Sequence, residues 1–418
     1  MTQTVFYQPF VSTSVEVNSS TNSLQGVKKN NLAPNSYLLA GTTGNPIGPP
    51  GYGALYIGAI DGASTTSGSG SGTWYNFSVP ATWEPKETSV YGPDILTPGQ
   101  GPDRIGDVAL AGTWINSSGA LLGWYYSGSL SDLNGNTNGA TTAGFRSFQA
   151  TTKANTLANF TYLHSVDGGY VVGNYTTTGG PVALAINSGL NSGSFIYNPT
   201  TNSQTDIQYS DNARFHSTFG IWANENGTYT ISGGASSNHN LPVIPSTHHP
   251  LKPRVISRQK SATAYKPNEA INKIFASSPD AVLGSGMLAD VDPITGVASN
   301  IHNYNYKNNP DILTHFQGID YLGNGVYQAP FVAVDLSGEL HTGNAYMHRL
   351  SNGLFAEEAV WETFETSQDN GGPLISTSVA GNVNTGVYST LAPFASFGPT
   401  EPYSTAAQDL NSPLKWLQ

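Results

Sequence analysis

RFHSTFGIWANENGTYTISGG (Arg214–Gly234) reads as a strand, a tight turn at Asn226-Gly227 and a second strand opening with Tyr229. Versions of it recur through the chain. SYLLAGTTG leads to GALYIGAIDG (Ser36–Gly62), DVALAGTWINSSG to ALLGWYYSG (Asp107–Gly128), and TYLHSVDGG to YVVGNYTTTGG (Thr161–Gly180). LTHFQGIDYLGNG leads to VYQAPFVAV (Leu313–Val334), and LISTSVAGNVNTG to VYSTLAP (Leu374–Pro393). The shared skeleton is an apolar strand ending near glycine (Gly41, Gly112, Gly220, Gly318, Gly381, with Asp167-Gly168 in the third copy), a Gly/Asn turn, and a strand carrying an aromatic. All-β repeats of this kind, spaced by about 50 to 100 residues, predict propeller blades.

Composition agrees. Only 10% of the residues are charged, while small polar residues are abundant, which suits short strands joined by tight turns rather than amphipathic helices. A net charge of −11 with no basic stripe disfavours nucleic acid as a partner. The absence of cysteine excludes disulfides, thiolate metal sites and a cysteine nucleophile. No apolar run is long enough for a membrane span. The start, MTQTVFYQPFVSTSVEV, alternates like a strand and lacks the features of a signal peptide, so a cytoplasmic location is the default expectation.

The expected architecture is a single β-propeller over residues 1–418, with six four-stranded blades and five or seven as the competing counts. SVYGPDIL is assigned to the end of the first blade, after a polar stretch at Thr21–Asn35. The last blade runs out of chain after two strands, so residues 4–17 are expected to close it, sparing the ring an open edge. A Pro-rich insertion at about 236–278 carries six of the sixteen basic residues, Arg254 among them, and is a candidate lid, rim or homo-oligomer contact.

The cadence VVGNYTTTGG, ALAINSG, GSFIYNPTTN and IQYSDNARFHSTFGIWANENGTYTISGG resembles the bacterial HAF-like repeat family, over residues 105–335. The resemblance implies a propeller fold and proteins that are often secreted, and it implies no catalytic residue.

Ligands of propellers usually bind at one mouth of the central channel. His164, His216 and His315 fall at nearly matching places in three successive repeats. Neutral imidazoles converging on an axis suit a divalent metal in the central channel, or proton transfer; hydrogen bonding within the channel lining is the alternative. The preceding loops supply Asp107 with Arg104, and Asp211 with Arg214, as acid/base and substrate-binding candidates, against a plain turn-capping role. Trp114 and Trp222, just past a landmark glycine, are candidates for stacking on a sugar, with core packing as the alternative. No phosphate-binding loop, serine-hydrolase elbow, zinc-protease motif or dinucleotide fingerprint is present.

Blades of a multivalent lectin repeat the same binding residues, whereas these share glycines and differ in polar side chains. That divergence predicts one asymmetric site for a small organic molecule or saccharide, with acid/base chemistry (hydrolase, lyase, isomerase or cyclase) if it is an enzyme. A carbohydrate-binding or protein-interaction propeller is the alternative.

Overall fold

The computed structural model describes residues 2–4, 23–43 (except 32 and 34), 51–59, 72–96, 108–177, 192–236 (except 212 and 214), 284–335, 339–365, 374–388 (except 382) and 406–407. The insertion expected at about 236–278 lies almost wholly outside them. Among the described residues no helix is long and apolar enough to cross a membrane.

The chain is an all-β propeller. Its described strands fall into five hydrogen-bonded sheets, and the eight-stranded one divides into two four-stranded halves joined only at Phe160–Leu121. Six consecutive antiparallel units result. Their innermost strands are Ser23–Lys29, Glu87–Ile95, Phe160–Asp167, His216–Ala223, a broken strand of Leu313–Phe316 plus Asp320–Gly323, and Leu374–Ala380. The sixth unit adds Val383–Tyr388 and Ala406–Ala407. The turn expected at Asn226-Gly227 is present: Asn224 N–H donates to Thr228 O at 2.9 Å, and Gly227 takes φ +82°.

Burial shows how the units stack. Strands such as Val326–Val334 are buried along their whole length because both faces meet a neighbouring sheet. Leu38, Leu55 and Phe77 of the first unit share a core with Leu110, Trp124 and Tyr126 of the second. Val172 and Ile196 of the third share one with Ile231 and Met287 of the fourth. The ring closes where Leu24, Val27 and Tyr56 of the first unit pack with Ala380 and Val383 of the sixth.

Each inner strand carries one extra residue against its partner strand. The extra residue is Gln25, Tyr91, His164, Phe219 and Thr377 in the first, second, third, fourth and sixth units. In the fifth it lies between Phe316 and Asp320, at Gln317. The residue after the bulge is always small: Gly26, Gly92, Ser165, Gly220, Gly318, Ser378. A methyl group at Gly26 would overlap Tyr91 O, at Gly92 it would lie 2.7 Å from His164 O, and at Gly220 2.7 Å from the Gly318 carbonyl carbon. A methyl on Gly318 would meet Ser378 Cα at 3.6 Å. Ser165 Oγ donates to Phe219 O at 2.5 Å, and Ser378 Oγ accepts from Val27 N at 3.2 Å. Each small residue therefore faces the next unit, all the way round.

Two expectations are corrected. SVYGPDIL does not end the first unit; Glu87–Ile95 opens the second, because the inner strand of the first is Ser23–Lys29 within the polar stretch. A strand facing the axis has no apolar alternation to reveal it. The N-terminal segment does not close the last unit in its described part: Thr2–Thr4 pairs in parallel with Thr363–Glu365 of the fifth. Residues 5–17 lie outside the described residues.

The small-residue ring is testable. Gly26→Ala should lower unfolding stability by about 1–3 kcal/mol or more, because backbone cannot yield to a new methyl group. Gly284→Ala, whose methyl would meet nothing nearer than 3.3 Å, should stay within about 1 kcal/mol of wild type in the same denaturation series.

Candidate functional site

Two residues beyond each small residue, strand alternation brings a side chain to the same face again, the one toward the next unit. These residues are Lys28, Asp94, Asp167, Trp222, Asp320 and Ala380. The bulge level and this one lie roughly 10 Å apart along the strands at about 3.3 Å per residue.

At the charged level, Lys28 of the first unit reaches Asp167 of the third. Its Nζ lies 2.6 Å from Asp167 Oδ1, 4.0 Å from Asp94 Oδ1 and 4.4 Å from the centroid of the Trp222 ring. The other carboxylate contacts are to backbone: Asp167 Oδ2 accepts from Ala223 N at 2.5 Å, Asp94 Oδ1 from Ile95 N at 2.9 Å, and Asp320 Oδ2 from Gly381 N at 2.7 Å. Burial works against the Lys28 ammonium, yet the carboxylates of Asp167 and Asp94 hold its pKa above the ordinary lysine range. Burial pushes the Asp94 carboxyl up to about 7; Lys28 opposes that rise and Asp167 adds to it. Asp320 is likewise raised by burial.

The bulge level divides into two arcs. Tyr91, His164, Phe219 and His315 form a continuous aromatic series, with successive centroids 5.1, 4.1 and 4.6 Å apart. Gln25, Gln317 and Thr377 supply amides and a hydroxyl. His315 bridges Ser217 Oγ through Nε2 at 2.7 Å and the Gln317 side-chain amide through Nδ1 at 2.9 Å. Burial lowers both imidazoles, to about 3 for His164 and about 4 for His315, so they are neutral at physiological pH.

The sequence-predicted residues are thus distributed. His164 and His315 both pack on Phe219 at the axis. His216 does not join them. It starts its strand three residues before the bulge, stacks on Tyr209 at 3.6 Å and bonds Asp211 at 3.0 Å in the junction between the third and fourth units. Trp222 is at the axis, whereas Trp114 is 5% exposed on a second strand and packs on Trp83 in the core of the first two units. The correction has a simple cause: Gly112 lies on a second strand and Gly220 on an inner one, so the two landmarks are not equivalent. Arg104, Asp107, Arg214 and Arg254 lie outside the described residues.

Sequence reasoning passed over Lys28, Asp94 and Asp320 and used Asp167 only as a turn. The signal was there as a small residue, any residue, then a charge: Gly26-Val27-Lys28, Gly92-Pro93-Asp94, Ser165-Val166-Asp167 and Gly318-Ile319-Asp320.

No family model and no curated protein matches the chain. Among solved structures it is similar to an α-L-arabinanase of Penicillium chrysogenum complexed with arabinobiose, at 11% identity and TM-score 0.45, covering 98% of each chain. It is similar to levansucrase of B. megaterium at 10% identity and TM-score 0.40, covering 86% of this chain and 91% of that one. It is also similar to the sialidase of Trypanosoma rangeli at 8% identity and TM-score 0.42, covering 96% of this chain and 56% of that one.

The raised Asp94 has a stability signature. The folded protein keeps this proton between the ordinary Asp value of 3.8 and about 7, where the unfolded chain has lost it, so the contribution is lost as pH rises through that window. The lowered histidines act in the opposite sense, adding stability as pH rises from about 4 toward the ordinary value of 6.5. The stability difference, wild type minus Asp94→Asn, should therefore fall between pH 4.5 and 7 in denaturant titrations. A flat difference would remove Asp94 from the cluster.

Proposed function

We propose that the chain is a single-site propeller that binds a small organic molecule or saccharide at its axial channel and acts on it by acid–base chemistry. One observation carries this reading: five units bring an unequal set of side chains, one lysine (Lys28), three aspartates (Asp94, Asp167, Asp320) and one tryptophan (Trp222), to the same level of the inner strands. A set assembled that way occurs once per chain. A multivalent lectin would repeat the whole binding set in every unit, whereas here only aspartate recurs.

Acid–base chemistry follows from the unlike surroundings of two carboxyl groups. Asp94, pushed up to about 7, can give or take a proton near neutrality. Asp167, fixed by the Lys28 ammonium and the Ala223 N–H, supplies the accepting oxygen beside it. Trp222 and the Tyr91–His164–Phe219 arc supply the aromatic surface that a sugar ring would meet. Kinship with the HAF-like repeats belongs to the same proposal, as does a cytoplasmic or secreted setting for such a protein.

A panel of mono- and disaccharides tests it. Calorimetric titration should give one site per chain, and Asp167→Asn should abolish the response. Where turnover is found, Asp94→Asn should lower kcat by about 10²- to 10⁴-fold. Several equivalent sites per chain, or ligand response unchanged in Asp167→Asn, would overturn the axial assignment.

A further inference from the structure

We infer that a cleft on the outer rim, between the second and third units, binds a neutral oligosaccharide chain; this site is separate from the axis and does not rest on the axial reading. The cleft has a volume of about 550 Å³, within the range of small-molecule pockets. One wall is Phe145–Phe148 with the loop that follows it, and the other is Ser203–Asp206; both strands are the outermost of their units. Inner and outer strands of a four-stranded unit are three spacings of about 4.8 Å apart, which sets the cleft roughly 14 Å from the inner strands.

The walls are fixed before any ligand arrives. The Gln204 side chain accepts from Thr151 N at 2.9 Å and donates to Thr151 O at 2.8 Å, clasping the connecting loop onto the outer strand of the third unit. Asp206 is held in one orientation, with Tyr175 OH donating to Oδ2 at 3.1 Å and Gln204 Nε2 to Oδ1 at 2.6 Å, and its carboxylate keeps lone pairs to spare. Tyr197 OH donates to Asn202 Oδ1 at 2.8 Å, which leaves the amide N–H groups of Asn202 as donors. Among the described residues the Lys153 ammonium and the Asn155 side chain, both in the lining, have no hydrogen-bond partner.

The chemistry of the lining selects the ligand class. A sugar hydroxyl both donates and accepts, so one such group can give its proton to Asp206 while taking one from Lys153 or an asparagine amide. An apolar ligand would leave those groups unpaired. A strongly charged ligand would meet a charge of its own sign, because the cleft carries one ammonium, Lys153, and one carboxylate, Asp206. Stacking contributes little: Phe148 is only 9% exposed, with its ring packed on Tyr197 and Phe195 at centroid distances of 4.2 and 5.5 Å. Affinity must then be assembled from many hydrogen bonds, each modest in water, and that calls for a chain of sugar units rather than a single one or a pair.

Hydrogen–deuterium exchange on the full chain, with and without maltohexaose, cellohexaose or xylohexaose, tests the rim site. At least one of these sugars should slow exchange in peptides covering 149–156 and 202–206, and Asp167→Asn, at the axis, should leave that protection in place. Lys153→Ala combined with Asn155→Gly alters two exposed side chains and keeps the turn at φ +57° accessible, and it should weaken the same hexasaccharide roughly tenfold or more. The wild-type protection map stands as an independent readout should that variant lose stability. No protection of these segments by any of the three, protection abolished by Asp167→Asn, unchanged affinity in the Lys153/Asn155 variant, or tighter binding of an oligogalacturonate of the same length would each overturn the inference. The axial reading survives a bare rim, and rim protection that outlasts Asp167→Asn survives the loss of the axial reading.

Discussion

The architecture depends on how closely six strands can approach one axis. Each inner strand carries one extra residue and then presents glycine or serine to its neighbour. Wherever glycine stands, the neighbouring backbone occupies or borders the space a side chain would need. Where serine stands, its hydroxyl makes the contact, to Phe219 O in one junction and from Val27 N in another. A larger residue at any of these places would push two units apart and widen the channel. The close approach of the inner strands in turn brings side chains of non-adjacent units within reach of one another, as Lys28 and Asp167 are.

The same narrowness sets the electrostatics. An ammonium and three carboxyl groups at one level of a channel lose most of their water, and backbone N–H groups replace only part of it. The Lys28–Asp167 pair is well made, and burial raises the pKa of the remaining carboxyl groups, Asp94 and Asp320. Around the bulge level, two imidazoles are kept neutral by the same loss of water. Of these groups only Asp94 is brought close to neutrality, where a carboxyl can exchange a proton.

Fold class was legible because the second and third strands of each unit are apolar and end in Gly or Asn turns, such as Asn224–Thr228. The boundaries of the first two units were not. SLQGVKK at Ser23–Lys29 faces the channel, so its residues are chosen for closeness and charge rather than for burial, and it reads as a loop. The histidines illustrate the same limit. His164 and His315 were found because imidazole is conspicuous, while His216 was grouped with them through a glycine count that ignored the extra residue in each inner strand. Asp167 was legible only as a turn former, and Asp94 and Asp320 carried no signal of their own, until the bulge fixed their register.

The chain's first strand is docked away from its second. Thr2–Thr4 is hydrogen-bonded to the outer edge of the fifth unit, and the next described strand, Ser23–Lys29, is the inner strand of the first. Among the described residues no sheet is shared between the first and sixth units. Their seam is held instead by the packing of Leu24, Val27 and Tyr56 on Ala380 and Val383, and by the hydrogen bonds from Val27 N to Ser378 Oγ and from Thr377 Oγ1 to Leu24 O.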